Sequence, residues 1–189
     1  MTLTVAIPRL DTENLIIRSP VAHDFDTYCA FAIDPIRSAG FGTEEDRPKA
    51  WRWFASNLGH WALRGYGYFI IEDKASGQAC GLCGIWEPEG WPEPEIGWVV
   101  FEGYEGKGIA HEAALRVREW AYTDLGLTTL TSNIVPGNDR SVALAKRLGA
   151  WFEREYVNVQ MGVEQLYRHP APADLGISPD SDGNPEAYA

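Results

Sequence analysis

The chain has 189 residues, of which 45% are hydrophobic, and its formal net charge at pH 7 is −11. This length and composition allow one domain with a sizeable core, and the excess of acidic residues argues against binding to nucleic acid. No apolar run is long enough to span a membrane and the N-terminus shows no signal-peptide pattern, so we expect a cytoplasmic protein without membrane contact. Three cysteines predict no disulfide framework.

Strand-like and helix-like segments alternate along the chain, which predicts an α/β domain. Helical spacing is clearest in residues 44–63, where large apolar side chains recur every three or four positions and Thr43 is the expected N-cap. In chain order we expect a strand at Leu15–Arg18, helices at 25–33 and 44–63, strands at 68–72, 79–87 and 95–101, a helix that ends near residue 125 with Gly126 as its C-cap, a strand at 129–135, a helix at 138–148, and strands at 152–159 and 164–168.

The C-terminal residues and a pair of cysteines lead to two further predictions. Residues 170–189 contain four prolines, four acidic residues and no basic residue, so we expect a domain over residues 8–169 followed by a mobile tail. Cys80 and Cys83 lie three apart in a predicted strand and should point to opposite faces of the sheet. We therefore expect them neither to share a metal ion nor to form a bridge.

A glycine-rich turn, residues 104–110, joins a predicted strand to a predicted helix and reads Tyr-Glu-Gly-Lys-Gly-Ile-Ala. Gly106 and Gly108 let bare backbone N–H groups approach a ligand, and the positive end of the helix dipole favours phosphate. A P-loop would need Ser or Thr after Gly-Lys, but Gly108 follows Lys107, and a Rossmann turn would come earlier, in a parallel-sheet unit. The sequence therefore predicts an anion-binding turn of another kind.

The turn resembles the acyl-CoA pyrophosphate loop of the GNAT N-acetyltransferases, usually written Gln/Arg-x-x-Gly-x-Gly/Ala. Gly108 and Ala110 fit this pattern, whereas Glu105 stands where Gln or Arg is usual. Three more stretches, in the family's order, resemble the branch that acetylates the N-terminal alanine or serine of ribosomal proteins. They are residues 8–18, the Glu-Ile-Gly-Trp of residues 95–98, and the Asn-Asp-Arg-Ser of residues 138–141, whose helix ends in Leu-Gly.

The resemblance implies a single-domain α/β GNAT fold, with a mixed, largely antiparallel sheet flanked by helices. In such a fold two parallel strands, here residues 95–101 and 129–135, splay apart to hold acetyl-CoA. The implied reaction uses acetyl-CoA as acyl donor, a primary amine as acceptor and no metal, in a monomer or homodimer. The residues expected to bind the cofactor are Val99, Val100, Phe101, Gly106, Lys107, Gly108, Ile109, Ala110, Asn138 and Arg140, and a backbone N–H near Val99 is the expected donor to the tetrahedral intermediate.

Acyl transfer to an amine requires the neutral amine, so a carboxylate must take a proton from the ammonium form, directly or through water. By resemblance the base is Glu95, while Glu87 and Glu93 are rivals on the sequence alone. The segment from residue 103 to 149 has six basic and five acidic residues, so the rest of the chain carries −12. That acidic remainder suits a cationic acceptor.

Many relatives place a tyrosine as general acid seven residues after the motif asparagine. That position is Ala145 here, and Ser141 is the nearest hydroxyl that the resemblance offers for the departing thiolate. Asn138 and Ser141 also fit an ordinary helix start, with Asn as the N-cap.

Three functions are compatible with these patterns. The first is N-acetylation of a primary amine that could be a protein N-terminus. The second is acetylation of a small polyamine or aminoglycoside-like compound. The third is a non-catalytic acyl-CoA sensor, which would keep Gly106, Gly108 and Asn138 but need neither base nor acid.

Overall fold

In residues 5–177, which the computed structural model describes, eight strands form one sheet. Their order across the sheet is β1-β2-β3-β4-β5-β6-β8-β7, and neighbours are antiparallel except for the parallel pair β5 and β6. This arrangement confirms the expected mixed, largely antiparallel sheet. The strands are β1 Leu10–Asp11, β2 Leu15–Arg18, β3 Tyr68–Asp73, β4 Gln78–Trp86, β5 Glu95–Val100, β6 Thr131–Ile134, β7 Trp151–Asn158 and β8 Gly162–Arg168.

Helices cover both faces of the sheet. Helices α1 (Phe25–Ala32) and α2 (Arg47–Arg64) pack on one face, and α3 (Ile109–Thr123) and α4 (Asp139–Arg147) pack on the other. The central strand β3 begins with four buried residues in succession, as expected for a strand with both faces covered. The sheet therefore separates two apolar layers, and its middle strands carry the core.

Helix α2 begins later than the sequence indicated. Its N-cap is Asp46, whose side chain accepts a hydrogen bond from the Lys49 N–H at 2.8 Å, and Pro48 follows in the first turn. The expected N-cap, Thr43, instead accepts a hydrogen bond from the Ser38 hydroxyl at 2.8 Å. Aspartate is a strongly preferred N-cap residue, and a proline two positions later fits the first helical turn, where its missing N–H is not needed.

The two cysteines of β4 contradict the expectation that they face opposite sides. The pairing of β3 with β4 shifts between Ile71 and Glu72, which leaves Cys80 as an extra residue in β4. Such a bulge changes the alternation of side chains, and Cys80 and Cys83 both join the core layer under α3. Both are buried free thiols, and burial raises the pKa of Cys80 to about 12.

The segment expected to be a tail begins with ordered structure. Pro172–Leu175 form a short 3-10 helix, and Ile177 packs against the main core. Residues 178–189 lie outside the part that the structure describes. No helix within residues 5–177 has the length and apolar character needed to cross a membrane.

Candidate active site

The parallel strands β5 and β6 touch at one end and then separate. Their only paired residues are Glu95 and Thr131, beside which the Ser132 hydroxyl donates to the Ile96 carbonyl at 2.7 Å. Beyond this point β5 and β6 no longer form hydrogen-bonded pairs, and a cavity lies between them. This donor cavity, as we call it, is bordered by Gly97 and Trp98 of β5, Asn133 and Ile134 of β6, and Asn138 and Ser141 at the start of α4.

The hydrogen bonds of β5 decide which of its amides face this gap. The Phe101 N–H donates to the Cys80 carbonyl of β4 at 2.8 Å. Because alternate amides of a strand point the same way, the Val99 N–H also faces β4. Neither Val99 nor Phe101 therefore has an N–H free for a ligand between β5 and β6, and the cofactor contacts expected of these two residues stay predictions that do not involve their N–H groups. The amides of Trp98 and Val100 face the gap.

The position of Tyr68 explains why β5 has a glycine, Gly97, beside these amides. A Cβ at this position would lie 2.0 Å from the Tyr68 hydroxyl oxygen, which borders the cavity. The phenol ring of Tyr68 therefore occupies the space that any larger residue in β5 would need.

The glycine turn has the backbone shape that phosphate binding requires. Gly106 and Gly108 have φ values of +77° and +80°, and an added Cβ would meet no other atom within 4 Å at either position. Gly108 is the N-cap of α3, so the N–H groups of Ile109 and Ala110 lie at the positive end of a fifteen-residue helix. Lys107 lies over the Tyr104 ring, with Nζ 4.9 Å from its centre.

Glu105, which departs from the motif, is engaged by an ion pair and a backbone hydrogen bond. Its carboxylate pairs with Arg37 and accepts a hydrogen bond from the Gly103 N–H at 2.9 Å. Arg37 also pairs with Glu102 at 3.0 Å. The guanidinium therefore offsets a negative charge beside the expected phosphate site. Arg37 lies in a loop 68 residues before its partner Glu105, so no local sequence pattern indicated its role.

The start of α4 confirms the helix-capping interpretation of Asn138. Its Oδ1 accepts from the Ser141 backbone N–H at 3.2 Å. The Ser141 hydroxyl itself makes no hydrogen bond within residues 5–177 and borders the donor cavity. Arg140 is exposed and borders neither cavity described here, so its cofactor contact stays a prediction.

Glu95 lies where the donor cavity meets a second one, which we call the acceptor cleft. Its Oε2 accepts hydrogen bonds from Trp91 Nε1 at 2.7 Å and Asn133 Nδ2 at 3.0 Å. Burial is the largest influence on this carboxyl, and it raises the pKa of Glu95 to about 7. The rest of the cleft is bordered by Gly40, Phe41, Trp53, Tyr68, Trp86, Trp91, Asn133, Gln160, Met161 and Glu164.

The two rival carboxylates are engaged elsewhere. Glu93 forms a bidentate ion pair with Arg168, which lowers its pKa. Glu87 accepts a hydrogen bond from the Tyr66 hydroxyl and lies 3.9 Å from Arg64. Neither carboxylate borders the cavities, so of the three candidates Glu95 alone does.

Residues 14–150 match the acetyltransferase (GNAT) domain family. The chain belongs to the GNAT family. It is therefore an acyltransferase, and the family uses acetyl-CoA as donor and an amine as acceptor. Within the described residues no group of three or more His, Cys, Asp or Glu side chains is arranged to hold a metal ion.

Solved GNAT structures extend this finding. An acetyltransferase from Agrobacterium tumefaciens strain C58 is 36% identical and superposes with a TM-score of 0.80 over 90% of this chain and 98% of its own. A ribosomal-protein-S5-alanine acetyltransferase from Vibrio fischeri (18% identity, TM-score 0.67, 95% and 100% covered) has the same fold. A spermidine N-acetyltransferase from Vibrio cholerae, solved with CoA and spermine, also has this fold. It is 16% identical, with a TM-score of 0.69, over 86% of this chain and 98% of its own. The last two share the fold alone, which does not determine the acceptor of this GNAT protein.

Proposed function

We propose that this protein transfers the acetyl group of acetyl-CoA to a primary amine, with Glu95 as the general base. The observation that carries the proposal is the position of Glu95 at the junction of the donor cavity and the acceptor cleft. Its pKa of about 7 leaves a large share of the carboxylate ionised at neutral pH. It also makes the carboxylate a stronger base than an exposed glutamate.

The residues around the donor cavity fit acetyl-CoA. The amides of Trp98 and Val100 face the gap between β5 and β6, where they can hydrogen-bond an extended, amide-containing chain. The open glycine turn and the N-terminus of α3 suit the pyrophosphate. We propose that Gly106, Lys107, Gly108, Ile109 and Ala110 bind it mainly through backbone N–H groups. When bound, acetyl-CoA supplies an activated thioester carbonyl.

Each chemical task then has a residue of this chain. Glu95 accepts a proton from the ammonium form of the acceptor, and the neutral amine then attacks the thioester carbonyl. Asn133 and Trp91 hold the carboxylate in place through their hydrogen bonds to it. The Trp98 N–H is the donor that we expect to stabilise the oxyanion, a contribution worth about 3 kcal/mol in comparable acyl-transfer sites. The Ser141 hydroxyl borders the same cavity and can protonate the departing thiolate while it takes up the proton that the nitrogen of the tetrahedral intermediate must lose.

Replacing Ser141 by alanine tests the last assignment. The Ser141 hydroxyl makes no hydrogen bond within the described residues, while the cap of α4 uses its backbone N–H, which alanine retains. We therefore expect Ser141→Ala to lower kcat about tenfold or more, while the melting temperature and the affinity for acetyl-CoA stay close to those of the wild type. Stopped assays of CoA release, calorimetry and melting curves measure the three quantities. An unchanged kcat would remove Ser141 from the reaction and leave it as a helix-start residue.

Two kinds of amine are candidates for the acceptor. The motifs of residues 95–98 and 138–141 support a relation to the branch that acetylates protein N-termini, and we retain that branch as one candidate. The other candidate is a small amine such as a polyamine. We expect the protein to act in the cytoplasm as a monomer or homodimer, without nucleic acid or membrane partners.

A further inference from the structure

The acceptor cleft combines aromatic rings with carboxylates. Phe41, Trp53, Tyr68 and Trp86 form one contiguous cluster, with ring centres between 5.1 and 5.7 Å apart. None of the described residues that border the cleft is basic, although two of them are glutamates. Faces of aromatic rings and carboxylates both attract ammonium groups. The chemistry of the cleft lining therefore suits a cationic molecule.

Asn133 marks the place of the reacting amine. Its side-chain Nδ2 donates to Glu95, which fixes the orientation of the amide. Its Oδ1 is the one buried side-chain polar atom without a hydrogen-bond partner in residues 5–177, and the residue is 8% exposed. A buried carbonyl oxygen without a partner is costly, so the site is built for a donor that comes from outside the protein. An amine between Asn133 and Glu95 would supply that N–H.

Glu164 provides a second anionic point in the same cleft. It lies on β8, is 4% exposed, and accepts a hydrogen bond from the Tyr156 hydroxyl at 2.9 Å. It forms no ion pair within the described residues. Burial raises the pKa of Glu164, and the negative charge of Glu164 contributes to the raised pKa of Glu95. A buried carboxylate beside a second, partly buried one, without a basic neighbour, is unfavourable unless a ligand brings positive charge.

We infer that the acceptor is a small diamine whose reacting nitrogen lies between Glu95 and Asn133 while its second ammonium lies against Glu164 and the aromatic cluster. This inference rests on the proposed amine acetylation and names the substrate class of that site. The chemistry at the second nitrogen is binding only, so its ammonium stays protonated throughout. A monoamine would occupy the same reacting position but would leave Glu164 without a cation.

The test compares butylamine with 1,4-diaminobutane, which differ in the second ammonium group. We expect wild-type kcat/KM to be at least tenfold higher for the diamine. Glu164→Gln keeps the shape and removes the charge, so the ratio of kcat/KM for 1,4-diaminobutane to kcat/KM for butylamine should fall to near unity. Glu155→Gln is the matched control, because Glu155 is an exposed carboxylate on the neighbouring strand β7, outside the cleft. It should retain the preference.

Calorimetric titration of CoA-saturated protein with 1,4-diaminobutane gives a second readout that does not require turnover. We expect binding by the wild type and a loss of about tenfold or more in Glu164→Gln. Equal kcat/KM for the two amines, or a preference that survives Glu164→Gln, would overturn the inference and leave amine acetylation standing. Diamine binding that depends on Glu164, without turnover of any amine, would overturn the proposed function and with it the role of the diamine as acceptor, while supporting a diamine-binding cleft. Absence of both binding and diamine preference would overturn the inference.

Discussion

Glu95→Gln should lower kcat for an amine by about a hundredfold or more at pH 7, because a positioned general base contributes roughly 10²–10⁴ to such proton transfers. The substitution keeps the size of the side chain and removes both its charge and its basicity. In the wild type the pKa of Glu95, about 7, should appear as the acidic limb of the profile of kcat/KM against pH. Below that pH the rate should fall about tenfold per unit as the carboxylate takes up a proton.

The variant should lack this limb. Its residual activity should rise at higher pH, where more of the amine is already neutral, since a lysine-like amine has a pKa near 10.4. Stopped-flow or steady-state assays of CoA release from pH 5.5 to 9.5 compare the two profiles. A profile with the same acidic limb in Glu95→Gln would exclude Glu95 as the base.

Protein stability provides the control for this substitution. The folded-state pKa of Glu95 lies above its ordinary value of 4.5, so folding favours the protonated form. The free-energy penalty of burying the carboxylate grows as pH rises from 4.5 to about 7, and it is fully present above pH 7. Glu95→Gln should therefore be at least as stable as the wild type at pH 8. Thermal melts at pH 8 measure this, and a slower enzyme that melts no earlier separates the loss of chemistry from a loss of folding.

Gly108→Val should weaken acetyl-CoA binding by about tenfold to a hundredfold, which is about 1.4–2.8 kcal/mol. Gly108 has a φ of +80° at the N-cap of α3, and a β-branched side chain strongly disfavours that conformation. No protein atom lies within 4 Å of an added Cβ. The new side chain would thus project into the space in which the pyrophosphate must approach the backbone. Isothermal titration with acetyl-CoA measures the loss.

Gly126→Val is a matched control for Gly108→Val. Gly126 follows the other end of α3, has a φ of +67°, and would also meet no atom with an added Cβ. Both variants should lose similar stability through backbone strain, but Gly126→Val should bind acetyl-CoA normally. Lys107→Ala should have a smaller effect than Gly108→Val, because an exposed ammonium contributes little at physiological salt. Normal binding by a folded Gly108→Val would contradict the phosphate-turn assignment.

Much of the fold could be predicted because local patterns agree with the tertiary structure. The strand Leu15–Arg18 has the expected bounds, and β3, β4 and β5 begin or end within one residue of their predicted limits. The glycine turn was also predictable, because Gly106 and Gly108 need left-handed backbone that other residues disfavour. The bulge at Cys80 was not predictable, because an extra residue in β4 depends on the pairing of β4 with β3 and has no local sequence pattern.

The residues on the acceptor side of the site were less predictable from the sequence than the fold. Trp53 lies in α2, where its neighbours Phe54 and Trp61 are core residues, so helical spacing alone does not show that its ring borders a cleft. Asn133 and Glu164 come from β6 and β8, which are separated by the whole of α4 and β7. Only the antiparallel pairing of these strands brings the two side chains to one cleft. A carboxylate in an exposed-looking hairpin sequence gives no sign that it will be buried.

The most direct test of the central claim is the stoichiometry of CoA release and amine acetylation by the wild-type protein. Acetyl-CoA is incubated with the enzyme and with butylamine, 1,4-diaminobutane or a peptide with a free N-terminal alanine, and thiol release and the acetylated product are measured together. We expect amine-dependent release of one CoA per acetylated nitrogen, fastest with the diamine. Tight binding of acetyl-CoA without amine-dependent release for any acceptor would contradict the account and identify a non-catalytic acyl-CoA sensor.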